Sequence, residues 1–298
     1  MPKKSVPLFH IQQHCFDNGV ANFKAGSFSE ESCTIVEFEE NHRHEYYEII
    51  WLKNGVGHHH IDLLPHHYSG SVLFLLAPGQ IHRIEQTIPS EGYIVKFLPS
   101  VFKMEKEFNE YIMDGCLFDN TLTSPVITVP EHLNSVLESL FLNLIQEFRQ
   151  LEPDAENIVS SYLKILITHI HRIQRKLTSS GNAIGNPRYE LFRKFKVAIE
   201  SQYKQRHSVQ HYADVLSTQP RSLNSVSREF AGKSAGEVIH ERILLEAKRS
   251  LYHETKSVKE ISFELGFEDP AYFTRFFKKH EGIAPQYFKE QKTLEITA

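Results

Sequence analysis

One pattern of residues occurs twice in the C-terminal third of this 298-residue chain. That repeat restricts the fold more than anything else in the sequence, because two copies are too few for a solenoid and must pack as two related units. The clearer copy reads SVKEISFELGFEDPAYFTRFFKKHEGIAPQYF from Ser257 to Phe288. Ser257 is placed to N-cap a helix, and Glu260 three residues on completes a capping box. Val258, Ile261 and Leu265 then share one helical face. Gly266 suits the position just past a helix end, where the backbone turns left-handed. Asp269-Pro270 supplies the N-cap and first-turn proline of a second helix. In that helix Phe273, Phe276 and Phe277 face inward, Ala271, Tyr272, Thr274, Arg275 and Lys278 stay on the outer face, and Gly282 ends it. A short helix, a tight turn and a second helix with an apolar back and a polar front predict a helix-turn-helix.

The earlier copy reads SVQHYADVLSTQPRSLNSVSREFAG from Ser208. Ser208, Val209, Tyr212 and Leu216 match Ser257, Val258, Ile261 and Leu265. After the turn the register slips by one residue, and Pro220, Leu223 and Gly232 match Pro270, Phe273 and Gly282. Between the copies, Ser234 with Glu237 makes another capping box. Val238, Ile239, Ile243, Leu244, Ala247 and Leu251 continue as an amphipathic helix reaching about His253. A helix of roughly 20 residues spans about 30 Å, close to the ~34 Å between successive major-groove faces of B-DNA. One chain can therefore present two recognition helices to one side of a duplex.

On these residues the chain resembles the AraC/XylS-type transcription regulators. The resemblance rests on Gly266-Phe267-Glu268-Asp269-Pro270, on Tyr272-Phe273-Thr274-Arg275-Phe276-Phe277-Lys278, on Gly282 with Pro285, and on Glu246-Ala247-Lys248-Arg249 between the units. The first unit departs from the usual form, with Gln219 at the N-cap and Phe230-Ala231-Gly232 in place of a Phe-Lys-Lys run. The resemblance implies a DNA-binding domain of two helix-turn-helix units, with double-stranded DNA as partner. Arg275 then suits guanine, whose O6 and N7 match its fork, and Thr274 and Tyr272 suit neighbouring bases or a thymine methyl. Lys278 and Lys279 suit phosphate. In the first unit Arg221, Ser222, Asn224, Ser225 and Arg228 hold the corresponding face, and Asn224 is expected to pair with adenine through its amide.

Charge divides the chain. Residues 1–185 carry a net charge of −8 and residues 186–298 a net of +4, as expected of a nucleic-acid module joined to a domain with another task. The three cysteines, Cys15, Cys33 and Cys116, include no close pair and favour a reducing compartment. No secretory leader follows Met1-Pro2-Lys3-Lys4, and no apolar run approaches the ~18 residues that span a bilayer. A cytoplasmic protein without a membrane partner is expected.

The N-terminal part reads as strands at Thr34–Phe38, Glu45–Leu52, His58–Leu63, Val72–Leu76 and Tyr93–Leu98, after an entry segment with one short strand. Glycine and proline turns separate them, as in a β-barrel or jelly roll. His42-x-His44-x-x-x-Glu48 and Pro78-Gly79-Gln80-Ile81-His82 resemble the two cupin signatures. On one strand His42, His44 and Glu48 share a face, and His82 is expected to join them. Three roles stay open for this set: ligands of a divalent metal, a polar wall for a small-molecule effector, or hydrogen-bonded framework. The regulator resemblance requires no cofactor. The runs His58-His59-His60 and His66-His67 read as solvated surface.

From Pro130 the period becomes helical. Leu133, Val136, Leu137, Leu140, Phe141, Leu144, Ile145 and Phe148 form one stripe; Ile158, Tyr162, Ile165, Leu166, Ile170, Ile173 and Leu177 form another. Packing on the barrel and homodimerisation are both open for these helices. Thr178–Asn186 reads as a linker, and Pro187–Tyr203 as a helix carrying Phe192, Phe195 and Ile199. The expected architecture is α+β in two domains: a cupin-like barrel with a helical pair at 1–177 and an all-α domain at 187–298, joined by a linker at 178–186. The expected function is a DNA-binding transcription regulator that senses a small molecule, with RNA polymerase a further partner of that role. The alternative is a metal-dependent cupin oxygenase or isomerase with a helical appendage, favoured only by the His/Glu set.

Overall fold

Val72-Leu73-Phe74-Leu75-Leu76 contains no polar residue, so as a strand it presents apolar side chains on both faces and has to be covered on both. The computed structural model describes residues 6–11, 22–27, 40–62, 64–88, 90–102, 117–118, 125–150, 152–177, 186–253 and 255–295. Its strands are β1 (Leu8–Phe9), β2 (Phe23–Ser27), β3 (Arg43–His44), β4 (Tyr47–Leu52), β5 (Val56–Ile61), β6 (Leu64–Ser69), β7 (Val72–Leu76), β8 (His82–Ile88), β9 (Gly92–Phe97) and β10 (Val126–Thr128). The chain folds as two units, Pro7–Ala183 and a C-terminal one from Ile184.

In the first unit, five antiparallel strands in the order β10-β7-β4-β9-β2 face a three-stranded antiparallel sheet, β6-β5-β8. Ile50, Leu52, Phe74, Leu76 and Ile94 meet Ile61, Tyr68 and Ile84 between the sheets. On the other face Ile49, Trp51, Leu73, Leu75 and Val95 pack against Leu137, Phe141 and Leu144 of α1 (Asn134–Gln150) and Leu163, Leu166 and Ile170 of α2 (Ala155–Leu177). Each of these side chains contributes about 1.5–3 kcal/mol by leaving water, so this double layer dominates the unit's stability.

Several sequence readings need correction. Pro65 does not separate strands; it lies within β6, an edge strand, where a missing N–H is tolerated. Strand β8 went unread, and the entry segment holds two strands, β1 and β2. The strand expected from Glu45 is interrupted, since Glu45 and Tyr46 form a bend between β3 and β4. The expected strand Thr34–Phe38 lies outside the described residues. The buried face of α2 is Val159, Leu163, Leu166, Ile167, Ile170 and Ile173, while Ile158 and Ile165 stand out toward solvent. Val136 of α1 is exposed as well.

The second unit is helical: α3 (Pro187–Gln202), α4 (Val209–Val215), α5 (Pro220–Ala231), α6 (Ala235–His253), α7 (Val258–Glu264), α8 (Pro270–Glu281) and α9 (Pro285–Glu295). The capping signals act as their chemistry dictates. Ser257 and Glu260 form a reciprocal capping box at α7, and Ser234 with Glu237 does the same for α6. Gly232, Gly266 and Gly282 all take positive φ at helix ends. Gly266 is required for a second reason: a Cβ there would lie 2.2 Å from the Lys204 carbonyl oxygen in the turn after α3. Ser217 occupies the matching left-handed position in the first unit. No helix among the described residues is long and apolar enough to cross a membrane.

Candidate functional site

The outer face of α8 is set by its ends and its back. Asp269 accepts from the Ala271 and Tyr272 backbone N–H groups at 2.8 and 3.0 Å, which starts the helix and fixes its rotation. Phe273, Phe276 and Phe277 are buried beneath it, with the Phe267 ring 5.1 and 5.2 Å from Phe273 and Phe276. Ala271, Tyr272, Arg275, Lys278 and Lys279 are left exposed. Arg275 is 68 % exposed; its Nη2 lies 3.6 Å from Asp269 and its guanidinium 5.9 Å from the Tyr272 ring. Thr274 is half-buried and donates its hydroxyl hydrogen to the Pro270 carbonyl.

On α5, Arg221, Ser225 and Arg228 are exposed and Ser222 is half-buried. Asn224, half-buried, bonds within the protein. Its Nδ2 donates to the Pro220 carbonyl at 3.0 Å, and its Oδ1 accepts from the Ala235 N–H at 3.1 Å. An amide held at both ends this way fastens α5 to the start of α6, with one Nδ2 hydrogen and one Oδ1 lone pair outside these two bonds. The signal was available locally: an Asn four residues after Pro220 can bond back to that carbonyl. Arg188 of α3, not singled out from sequence, donates to Ser225 Oγ and to Glu229.

The sheet domain gathers a second set of polar groups. His42, His44, Glu48 and His82 are all buried. They converge despite the bend at Glu45-Tyr46, because the His42 and His82 backbones exchange two hydrogen bonds. Nε2 of His44 lies 3.7 Å and Nε2 of His82 3.6 Å from Glu48 Oε2. The three donor atoms all fall within 4.8 Å of one another. Metal ligands at about 2.0–2.2 Å in tetrahedral array stand ~3.4 Å apart, so this trio fits a divalent ion with little movement. His42 is outside the trio; its Nδ1 faces the Glu40 carbonyl. Lys96 Nζ, 3.9 Å from the other Glu48 oxygen, is the competing cation.

His59 corrects another reading. It is buried, unlike the surface histidine expected, with Nε2 3.1 Å from His82 Nδ1. One of the two rings carries the shared hydrogen, and this leaves His82 Nε2 aimed at Glu48 without a hydrogen-bond partner. Burial first, and the neighbouring histidines second, hold both His59 and His82 well below the usual imidazole range. His58 and His67 stay exposed, while His60 and His66 are half-buried on the same two strands.

A sheet domain with one buried polar cluster, followed by two capped helix-turn-helix units, defines a ligand-responsive DNA-binding regulator. The family descriptions agree: residues 30–157 match the AraC-like ligand binding domain and residues 212–291 a helix-turn-helix domain. The chain is 31 % identical over 144 residues to the probable transcription factor PqrA of Proteus vulgaris, covering 48 % of this chain and 92 % of that protein. It is 20 % identical over 263 residues to the HTH-type transcriptional activator RhaS of an Enterobacter species, covering 86 % and 89 %. Among solved structures it is similar to ToxT of Vibrio cholerae, at 15 % identity over 90 % of this chain and 98 % of that one; the TM-score of 0.42 gives that likeness no further weight. The chain belongs to the AraC/XylS family of transcription regulators. It is a DNA-binding transcription regulator with a ligand-binding N-terminal domain.

Proposed function

We propose that α8 and α5 enter successive major grooves on one side of a duplex. Arg275 reads a guanine, and Ala271, Tyr272 and Thr274 line the neighbouring bases. Lys278 and Lys279 hold phosphate, as do Arg221 and Arg228 of the first unit, with Ser222 beside them. The observation that carries this reading is the shared framing of the two helices. Each begins at a proline and ends at a left-handed glycine, and α8 keeps all its phenylalanines inside and its cations outside. Selecting duplexes from a randomised pool with the full chain tests it: the expected motif has two half-sites about one helical turn apart. Enrichment of a single half-site, or of none, overturns it.

We further propose that the effector is recognised at the buried set His42, His44, Glu48 and His82, beside Lys96. A divalent ion held by His44, Glu48 and His82 is the second reading, supported by the convergence of their donor atoms. When bound, such an ion would supply a Lewis-acidic point for a carboxylate or hydroxyl of the effector. Calorimetric titration of the chain with Zn²⁺, Ni²⁺ and Mn²⁺ separates the two. A homodimer through α1 and α2 is supported by Leu142, Ile158 and Ile165, which remain 49, 37 and 45 % exposed. Contact with RNA polymerase in the cytoplasm follows if the chain activates transcription, as the name of RhaS suggests for that protein.

A further inference from the structure

The two recognition helices differ at the positions that matter most for charge. Aligned on their prolines, Ser225 of α5 stands where α8 has Arg275, and Glu229 where α8 has Lys279. The first unit therefore lacks a guanidinium at the position of Arg275, although Arg221 and Arg228 stand elsewhere on the same face, and it carries a carboxylate that repels phosphate. Arg188 meets both deficits. From the first turn of α3, where Asn186 Oδ1 caps its own N–H at 2.9 Å, it reaches across to α5. Its Nη2 donates to Ser225 Oγ at 2.7 Å, and its Nε donates to Glu229 Oε2, also at 2.7 Å. Both Nη1 hydrogens take no part in these contacts. Tyr189, edge-on to the Phe230 ring at 5.2 Å, and Phe192, tilted against it at 5.7 Å, hold α3 against α5 so that the reach is short.

A purely structural role explains this poorly. The Arg188 side chain is 51 % exposed and Glu229 40 %, and exposed ion pairs contribute little, commonly 0–1 kcal/mol. These aromatic contacts already anchor α3. What the pair does accomplish is to place a planar, multiply donating cation at the place in the first unit where α8 has its own arginine.

We propose that Arg188 is a DNA-contacting residue of the first helix-turn-helix, supplied from outside the recognition helix. Glu229 and Ser225 orient its guanidinium, and the Nη1 side meets the duplex. This rests on reading the outer face of α8, with Arg275, as a DNA surface.

The test uses the full chain, a duplex selected from a randomised pool by the wild-type protein, and a random duplex of equal length. Arg188→Ala should weaken binding to the selected duplex about tenfold, the order expected for a lost charge-assisted hydrogen bond, and should shrink the salt slope by about one unit. An equal loss on random DNA assigns the contact to phosphate, and a loss confined to the selected duplex assigns it to a base. Glu229→Gln is the second variant. It loosens the tether and removes a like charge from the DNA, so binding should be equal or tighter. The inference is overturned if Arg188→Ala changes neither affinity nor salt slope, or if Glu229→Gln weakens binding as much as Arg188→Ala does, since the pair then only braces α5. Arg275→Ala, run in parallel, keeps the failures apart. If Arg275→Ala is silent, the groove reading itself is wrong; if Arg188→Ala alone is silent, only this inference falls.

Discussion

The Arg242 guanidinium grips Glu200 with two parallel hydrogen bonds, Nε to one carboxylate oxygen at 2.6 Å and Nη2 to the other at 2.8 Å. Its third nitrogen lies 3.2 Å from Glu246, and its face covers the Tyr203 ring at 3.8 Å. Arg249 adds a second cation 3.4 Å from Glu246. This network ties α3, the helix before the first helix-turn-helix, to α6, the helix that leads to the second. Burial alone would raise the Glu246 carboxyl, but Arg242, Arg249 and Lys204 overrule it and hold the group at about 2. Its ordinary value is 4.5, so the stabilisation is complete above about pH 4.5 and is lost as pH falls toward 2. The span is worth on the order of 3 kcal/mol. Thermal melts of the full chain between pH 5 and pH 2.5 should show the C-terminal transition falling steeply. In Glu246→Gln that transition should start lower and fall less; an unchanged slope would contradict the assignment.

Arg275→Ala should cost about 1–3 kcal/mol on a selected duplex and relax preference at one base position. Lys278→Ala should instead weaken selected and random DNA alike and reduce the salt slope by about one unit. Binding curves at several salt concentrations measure both. Equal loss on all sequences for Arg275→Ala would refute its role in base readout.

Asn224→Ala should lower the stability of the C-terminal unit by roughly 0.5–2 kcal/mol, the range for a lost helix cap. It should leave the selected DNA motif unchanged. A motif that loses an adenine while the melting curve stays put would show the direct contact instead.

Phe273 is fully buried beneath α8. Truncation to Ala should cost about 3–5 kcal/mol and melt the C-terminal unit, with the N-terminal transition nearly unchanged. Scanning calorimetry resolves the two; a stable variant with weakened DNA binding alone would place Phe273 in the interface.

His44→Ala discriminates between the two readings of the buried trio. If an ion sits there, the variant should lose measurable Zn²⁺, Ni²⁺ or Mn²⁺ binding, and the melting temperature of the N-terminal unit should no longer rise on adding metal. If an organic effector is the occupant, metal titration should be flat in the wild type as well. Effector-dependent changes in transcription should then disappear in the variant.

The helix-turn-helix units were legible because their signals are local. A Ser-x-x-Glu box, an Asp-Pro start and a glycine stop act within one turn of the residues that carry them, and each appears in the fold as written. The sheet domain was less so. Pro65 reads as a breaker unless β6 is known to be an edge, and edges are a property of the assembled sheet. His58, His59 and His60 alternate faces by geometry, yet only the packing of β5 over β7 decides that His59 is inside. Helix α2 carries large apolar residues around more than half its circumference, so Ile158 and Ile165 were as plausible as Val159 and Leu163. The trio of His44, Glu48 and His82 was visible through its motif, although the strand expected to align it is bent. Arg188 left no trace, because its partners on α5 lie 37 and 41 residues away.

Gly266 gives the DNA-binding unit a fixed gauge. The turn of the second helix-turn-helix closes on the Lys204 carbonyl so tightly that no side chain fits between them, and Lys204 belongs to the stretch that leads into the first. On the proposed two-groove reading, this contact fixes the spacing of the two jaws before a duplex arrives. An operator whose half-sites are displaced by a base pair should then bind more weakly, because the twisting and bending fall to the DNA.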